Sequence, residues 1–137
     1  MNLFKNYINI LYWIAMAGLM FWFAYSKGWI FANFESIEAN QAIYLLENDD
    51  NVTLLVVRTI EEYKRGHLRD ATLIPLQALS ENLGMLKQYK DKKIIVYCRT
   101  GSRSVSASRI LEKNGFTPLN VKGGIIQLIG AKAELVR

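Results

Sequence analysis

The chain has 137 residues, enough for one domain of common size, and is 51% hydrophobic with a mean hydropathy of +0.08. Its single cysteine, Cys98, excludes an intramolecular disulfide framework and a cysteine-rich zinc site, and its single histidine, His67, leaves no Ser-His-Asp arrangement without that residue. The net charge of +5 divides into +2 over residues 1–34 (two lysines, no acid) and +3 over residues 35–137 (fifteen bases, twelve acids), so neither part reads as a nucleic-acid surface.

The apolar excess is concentrated at the start. Eleven of the sixteen aromatic residues lie in the first 34 positions. From Asn6 to Ser26 no residue carries a formal charge, and Lys5 and Lys27 bracket the run. As a helix it would span ~31 Å, the thickness of a bilayer core. Tyr7 and Tyr12 sit towards one end and Trp22, Tyr25 and Trp29 towards the other, where amphipathic rings prefer the membrane interface. The lysines can snorkel to headgroups.

A cleaved signal peptide would need small residues at a cleavage site, and Ala24-Tyr25-Ser26 sits among bulky Trp22, Phe23 and Trp29. A buried core helix would need a larger body around it. The expectation is therefore a retained, single-pass transmembrane helix, with residues 1–35 as helix and connector and 36–137 as the soluble domain. The amino terminus and Lys5 give a bias of about one charge towards an N-inside helix, which would place the domain outside.

Residues 27–36 read as an interfacial connector. Ser36 is the expected N-cap of a helix from about Ile37 to Glu47, with Ala39, Ala42, Ile43 and Leu46 on one face. The polar cluster 48–51 is a turn. Val52 to Val57 is a nearly continuous β-rich run, the pattern of a strand buried on both faces. Thr59 caps a short helix with Glu62 at the capping-box position, and Gly66 closes it.

Leu73-Ile74 is a second short strand, stopped by Pro75. Residues 79–89 have helical period through Leu79, Leu83 and Leu86, which Gly84 weakens. Ile94 to Tyr97 is a third strand. Residues 103–114 form a helix burying Val105, Ala107, Ile110 and Leu111, ended at Asn114-Gly115. Leu119 to Val121 is a fourth strand, and Gly123-Gly124 precedes a last apolar turn, Ile125 to Ile129. Strands alternating with helices predict an α/β fold with an open parallel sheet.

The segment with chemical content is Ile94-Ile-Val-Tyr-Cys98-Arg-Thr-Gly-Ser-Arg-Ser104. An apolar strand delivers a cysteine to its carboxyl end, where open α/β sheets bind ligands. The glycine-containing loop that follows can aim backbone N–H groups at an anion, and the next helix adds its positive N-terminus. Arg99 and Arg103 add full charges if they turn inward. All of these favour a thiolate, the nucleophilic form of sulfur, and no metal or cofactor is required. Cysteine at such a position is otherwise a small core residue.

Three segments together resemble a single-domain rhodanese: Leu54 to Arg58 with Thr59–Tyr63 and Gly66-His67; Cys98-Arg-Thr-Gly-Ser-Arg-Ser104; and Asn114-Gly-Phe116 with Lys122-Gly-Gly-Ile125. The resemblance covers about residues 36–130. It implies a rhodanese-like sheet of about five parallel strands with helices on both faces, and sulfurtransferase activity through a persulfide on Cys98. The family's active loop maps onto Cys98, Arg99, Thr100, Gly101, Ser102 and Arg103. The implied partners are thiosulfate or another sulfane-sulfur donor and a thiol or protein acceptor, with a lipid bilayer holding the helix. An N-terminal membrane helix before such a domain is a known bacterial arrangement, which places the protein in the inner membrane. The persulfide cycle needs reduced thiols, so the domain is expected on the cytoplasmic side, against the charge bias. The periplasmic orientation is the alternative.

Departures from the family pattern are Val56 where an aspartate is usual, Arg69-Asp70 where Pro-Gly is usual, and Leu128 where a tryptophan is usual. Arg58 at its strand end either lines the pocket or braces the turn by a salt bridge. His67 is expected to bond backbone groups rather than act in acid–base chemistry. Two other functions compete. A cysteine phosphatase or arsenate reductase needs Cys-x5-Arg, but position 104 is Ser104 and Arg103 falls one residue early. A non-catalytic docking module would have no need of Cys98.

Overall fold

A computed structural model of the chain describes residues 2–26 and 34–137. The chain divides between positions 32 and 33 into two compact units. The first is helix α1 (Asn2–Ser26). Within it Leu3–Tyr25 is a 23-residue stretch of mean hydropathy 1.5, long and apolar enough to cross a membrane. Apolar side chains occupy all of its faces rather than one stripe. The connector expected over 27–36, with Lys27 and Trp29, lies outside the described residues as far as position 33.

The second unit runs β1 (Glu35–Ile37), α2 (Ala39–Asn48), β2 (Val52–Val56), α3 (Ile60–Arg65), β3 (His67–Leu68), β4 (Thr72–Leu73), α4 (Leu76–Leu79), a 3₁₀ helix (Leu83–Tyr89), β5 (Lys93–Tyr97), α5 (Ser102–Lys113), β6 (Thr117–Val121), α6 (Gly124–Gly130) and β7 (Leu135–Val136). Among the described residues the main sheet has five strands in the order β1-β6-β5-β2-β4, every pairing parallel. The chain builds outward from β2 to β4, returns across β2 to β5, then builds the other way to β6. Neighbours β2 and β5 therefore flank the topological switch point, where such sheets open a crevice at their carboxyl ends.

Alternation along the central strands sorts the core into two layers. Leu54, Val56, Ile95 and Tyr97 face one side with Ala39 and Ala42 of α2 and Ile125 and Leu128 of α6. Leu55, Val57, Ile94, Val96 and Cys98 face the other with Leu79, Leu86 and, from α5, Ala107 and Leu111. Both faces of the sheet are thus covered, and the continuous apolar run at 52–57 reflects that.

Two expectations are corrected. Residues 35–37 do not open a helix: they pair with Leu119–Val121 of β6, and the helix begins at Ala39 after Glu38. Ser36 accepts a hydrogen bond from Asn120 Nδ2 at 3.2 Å instead of capping. The free edge of β6 captures this segment, a pairing 84 residues apart that local pattern does not reveal. Residues 79–89 are not one α-helix, because α4 ends at Leu79 and a 3₁₀ helix starts at Leu83. Leu83, Leu86 and Tyr89 recur every three residues, the 3₁₀ period, and Leu86 is buried. The short antiparallel pair β3–β7 was also not foreseen; it ties the chain's last residues to His67 and Leu68.

Candidate active site

Strand β5 ends at Tyr97, whose ring is fully buried. Its hydroxyl oxygen accepts the Leu68 N–H at 3.1 Å, and burial pushes its phenol up to about 12. The next residue, Cys98, is 1% exposed and faces α5. Arg99 and Thr100 form the exposed tip of the loop, and Gly101 is the N-cap of α5.

Gly101 has φ +107, a backbone region that L side chains rarely adopt, and its N–H points at Cys98 Sγ at 3.0 Å. The Ser104 hydroxyl, one turn into α5 and fully buried, lies 3.6 Å from the same sulfur. The sulfur thus accepts from the Gly101 N–H and donates to Ser104 Oγ. The N-terminus of the 12-residue α5 adds its partial positive charge.

The loop's other side is fixed by α6. Ile125 N–H donates to the Cys98 carbonyl at 2.8 Å and Ile126 N–H to the Arg99 carbonyl at 3.4 Å. That close approach requires Gly124, at φ +60. A Cβ there would lie 2.5–2.6 Å from the Cys98 oxygen and the Arg99 carbonyl group. Gly123-Gly124, which the sequence offered only as a motif, is where α6 grips the cysteine loop.

The loop arginines separate. Arg103 grips Glu62 with both terminal nitrogens, at 2.7 and 3.0 Å. Arg58, 9% exposed, donates to the same carboxylate at 3.2 Å and to the Gly66 carbonyl at 3.3 Å. Of the two readings of Arg58, the hydrogen bonds are those of a brace for the turn after β2, and its buried Nε finds no acceptor. Val56, two residues upstream, offers none. The Arg103 hydrogen bond holds the Glu62 carboxyl well below the usual carboxylate range, with the Thr59 bonds helping and burial opposing. Arg103 is raised in turn, chiefly by its hydrogen bond to Glu62. Arg99, by contrast, lies exposed on the loop.

Glu62 was read from sequence only as a capping-box residue. It is that, with Thr59 Oγ1 accepting the Glu62 N–H at 3.2 Å and the carboxylate accepting the Thr59 N–H. It also ties α3 to α5 through Arg103. The i, i+4 spacing of Arg58 and Glu62 was the available signal; the 41-residue link to Arg103 had none. The His67 Nδ1–H donates to the Tyr63 carbonyl at 2.9 Å, and the imidazole stacks on the Tyr63 ring with centroids 3.6 Å apart, a structural post.

The domain is a parallel α/β sheet that sets a buried cysteine at its switch point, inside a glycine-containing loop and beside a helix N-terminus. The rhodanese-like domain family matches residues 38–129, and the chain belongs to that family. Among solved structures it is similar to a rhodanese-like domain protein from Staphylococcus aureus (30% identity, TM-score 0.65, covering 69% of this chain and 91% of that one). It is also similar to a rhodanese-related protein from Thermoplasma volcanium (33% identity, TM-score 0.66, covering 75% and 98%). A curated relative, the tRNA uridine(34) hydroxylase of Cronobacter sakazakii, is 35% identical over 98 residues, 68% of this chain. The chain spans 28% of that relative's length.

Proposed function

We propose that this protein is a membrane-anchored sulfurtransferase that carries sulfane sulfur as a persulfide on Cys98. The observation that carries the reading is the sulfur itself: buried at the end of β5, with the Gly101 N–H on it at 3.0 Å. The Cys98 thiolate attacks the outer sulfur of thiosulfate. A Cys98 S–S bond forms, the S–S bond of thiosulfate breaks, and its electron pair leaves with sulfite. Three negative charges enter the step and three leave. Cyanide or an acceptor thiolate then attacks the outer sulfur of the persulfide and restores the Cys98 thiolate. The Gly101 N–H serves the attacking sulfur, and the nucleophile enters as a thiolate, so no general base is needed.

The phosphatase and arsenate reductase reading lacks its arginine at position 104, and the Arg103 fork is committed to Glu62. The docking reading leaves the donors around Cys98 without a purpose. Mass spectrometry of the full chain after thiosulfate decides: a gain of ~32 Da on Cys98, absent in Cys98→Ser and removed by cyanide, is the expected result. Aryl-phosphate hydrolysis without thiocyanate formation would establish a phosphatase instead, and no adduct at all a docking module.

A second reading comes from the curated relatives, which are named for hydroxylation of a tRNA uridine. On it, this domain serves that modification. It would also reverse the expectation of no nucleic-acid partner, which rests on the modest charge. Loss of hydroxylated uridine from the tRNA of a deletion strain, restored by this chain, would favour it.

A further inference from the structure

Ser104 closes the cysteine segment without a role of its own in the sequence reading, and its hydroxyl lies between the Gly101 carbonyl and Cys98 Sγ. It donates to the Gly101 carbonyl at 3.1 Å, while Cys98 Sγ, 3.6 Å away, donates its thiol proton to Ser104 Oγ. Gly101 closes the ring, because its N–H points at the same sulfur. A hydroxyl has one proton to give. As long as Cys98 is a thiol, that proton is spent on Gly101 O. When the sulfur loses its own proton, Ser104 Oγ loses the donor that faced it and meets a charged acceptor instead.

We infer that Ser104 is a catalytic residue whose hydroxyl turns from the Gly101 carbonyl to Cys98 Sγ when the sulfur becomes anionic. The turn orphans nothing: the Gly101 carbonyl keeps the Val105 N–H at 3.2 Å. It also needs no backbone movement, since a hydroxyl rotor reorients in place and Ser104 is held by the first turn of α5. Two donors three residues apart, the Gly101 N–H at the N-cap and the Ser104 O–H in the first turn of α5, then converge on the attacking sulfur. When the persulfide forms, its charge moves to the outer sulfur, and the Ser104 hydroxyl turns back to donate to Gly101 O. The hydroxyl therefore favours the attacking thiolate over the thiol at one end of the step. It does not trap the product at the other.

This inference rests on the sulfurtransferase reading for its reaction but not for its test. The chain has one cysteine, so its S–H stretching band in the infrared is a single reporter. In the reduced full-length protein that band is expected below the frequency of an unbonded thiol, and to rise in Ser104→Ala. Iodoacetamide, which needs only the thiolate, is expected to alkylate Ser104→Ala at least about threefold more slowly at neutral pH. Ser104→Thr, which keeps a hydroxyl, should restore both. An unbonded S–H band in the wild-type protein overturns the inference, even if Ser104→Ala fails to fold. Wild-type alkylation rates in a folded Ser104→Ala overturn it as well. Failure of thiosulfate to add sulfur to wild-type Cys98 would instead overturn the sulfurtransferase reading and leave these measurements to judge Ser104.

Discussion

Glu62 concentrates more electrostatic consequence than any other side chain described. One carboxylate takes the fork of Arg103, one bond from buried Arg58 and two groups of Thr59. Its side chain is 19% exposed, so the pairings are screened only in part. Removing it strands the Arg58 charge, 90% buried, without its one carboxylate. Glu62→Gln is expected to cost about 1–3 kcal/mol at neutral pH, read as a lower urea midpoint. The pH dependence has a definite sign. The folded-state carboxyl is held below its ordinary value of 4.5, so its contribution is complete above that value and declines as pH falls further. The gap between wild type and Glu62→Gln should accordingly narrow in urea titrations between pH 4.5 and pH 3. A gap that stayed constant over that range would show that the carboxylate is not the source of the difference.

At the scale of elements, the cysteine loop is held by two helices that do different things. Gly101, the N-cap of α5, aims its N–H at the sulfur, and α6 holds the Cys98 and Arg99 carbonyls. The latch depends on Gly124. Ala there brings a Cβ within 2.5–2.6 Å of the loop's backbone, which cannot yield as a flexible side chain would. Gly124→Ala is expected to cost about 2–3 kcal/mol and to lower the rate of sulfur loading on Cys98 about tenfold or more. Thermal melting and the persulfide mass assay read the two effects separately. A variant that melts lower but loads sulfur at the wild-type rate would confine Gly124 to stability.

For the whole molecule the open matter is the 25-residue α1 joined to a charged domain. Its length and composition match a bilayer crossing, and the proposal is that it is retained as a single-pass anchor in a bacterial inner membrane. The full chain should then stay in the membrane fraction through alkaline carbonate washing; release into the supernatant would argue for a cleaved leader or a peripheral association. The proposed orientation puts the domain in the cytoplasm, where thiols stay reduced. Protease added to intact spheroplasts should leave the domain uncut, and digestion there would assign it to the periplasm.

Much of this protein is determined locally and could be read from the chain. The run at 52–57, the Thr59–Glu62 box and the Cys98 loop each depend on neighbours within a few residues, and local periodicity and capping express them directly. The register of β1 on β6, the α6 grip on the loop and the partner of Arg103 were decided only by tertiary structure. Each joins residues far apart in sequence, through backbone groups or charges that have many possible partners until the sheet sets them side by side. The sequence determined that a cysteine would stand at the end of a strand, ahead of a glycine-containing loop. Folding decided which groups surround it, turning Arg103 away to Glu62 and bringing Ser104 in, because those choices depend on how α3 and α5 are placed around the end of the sheet.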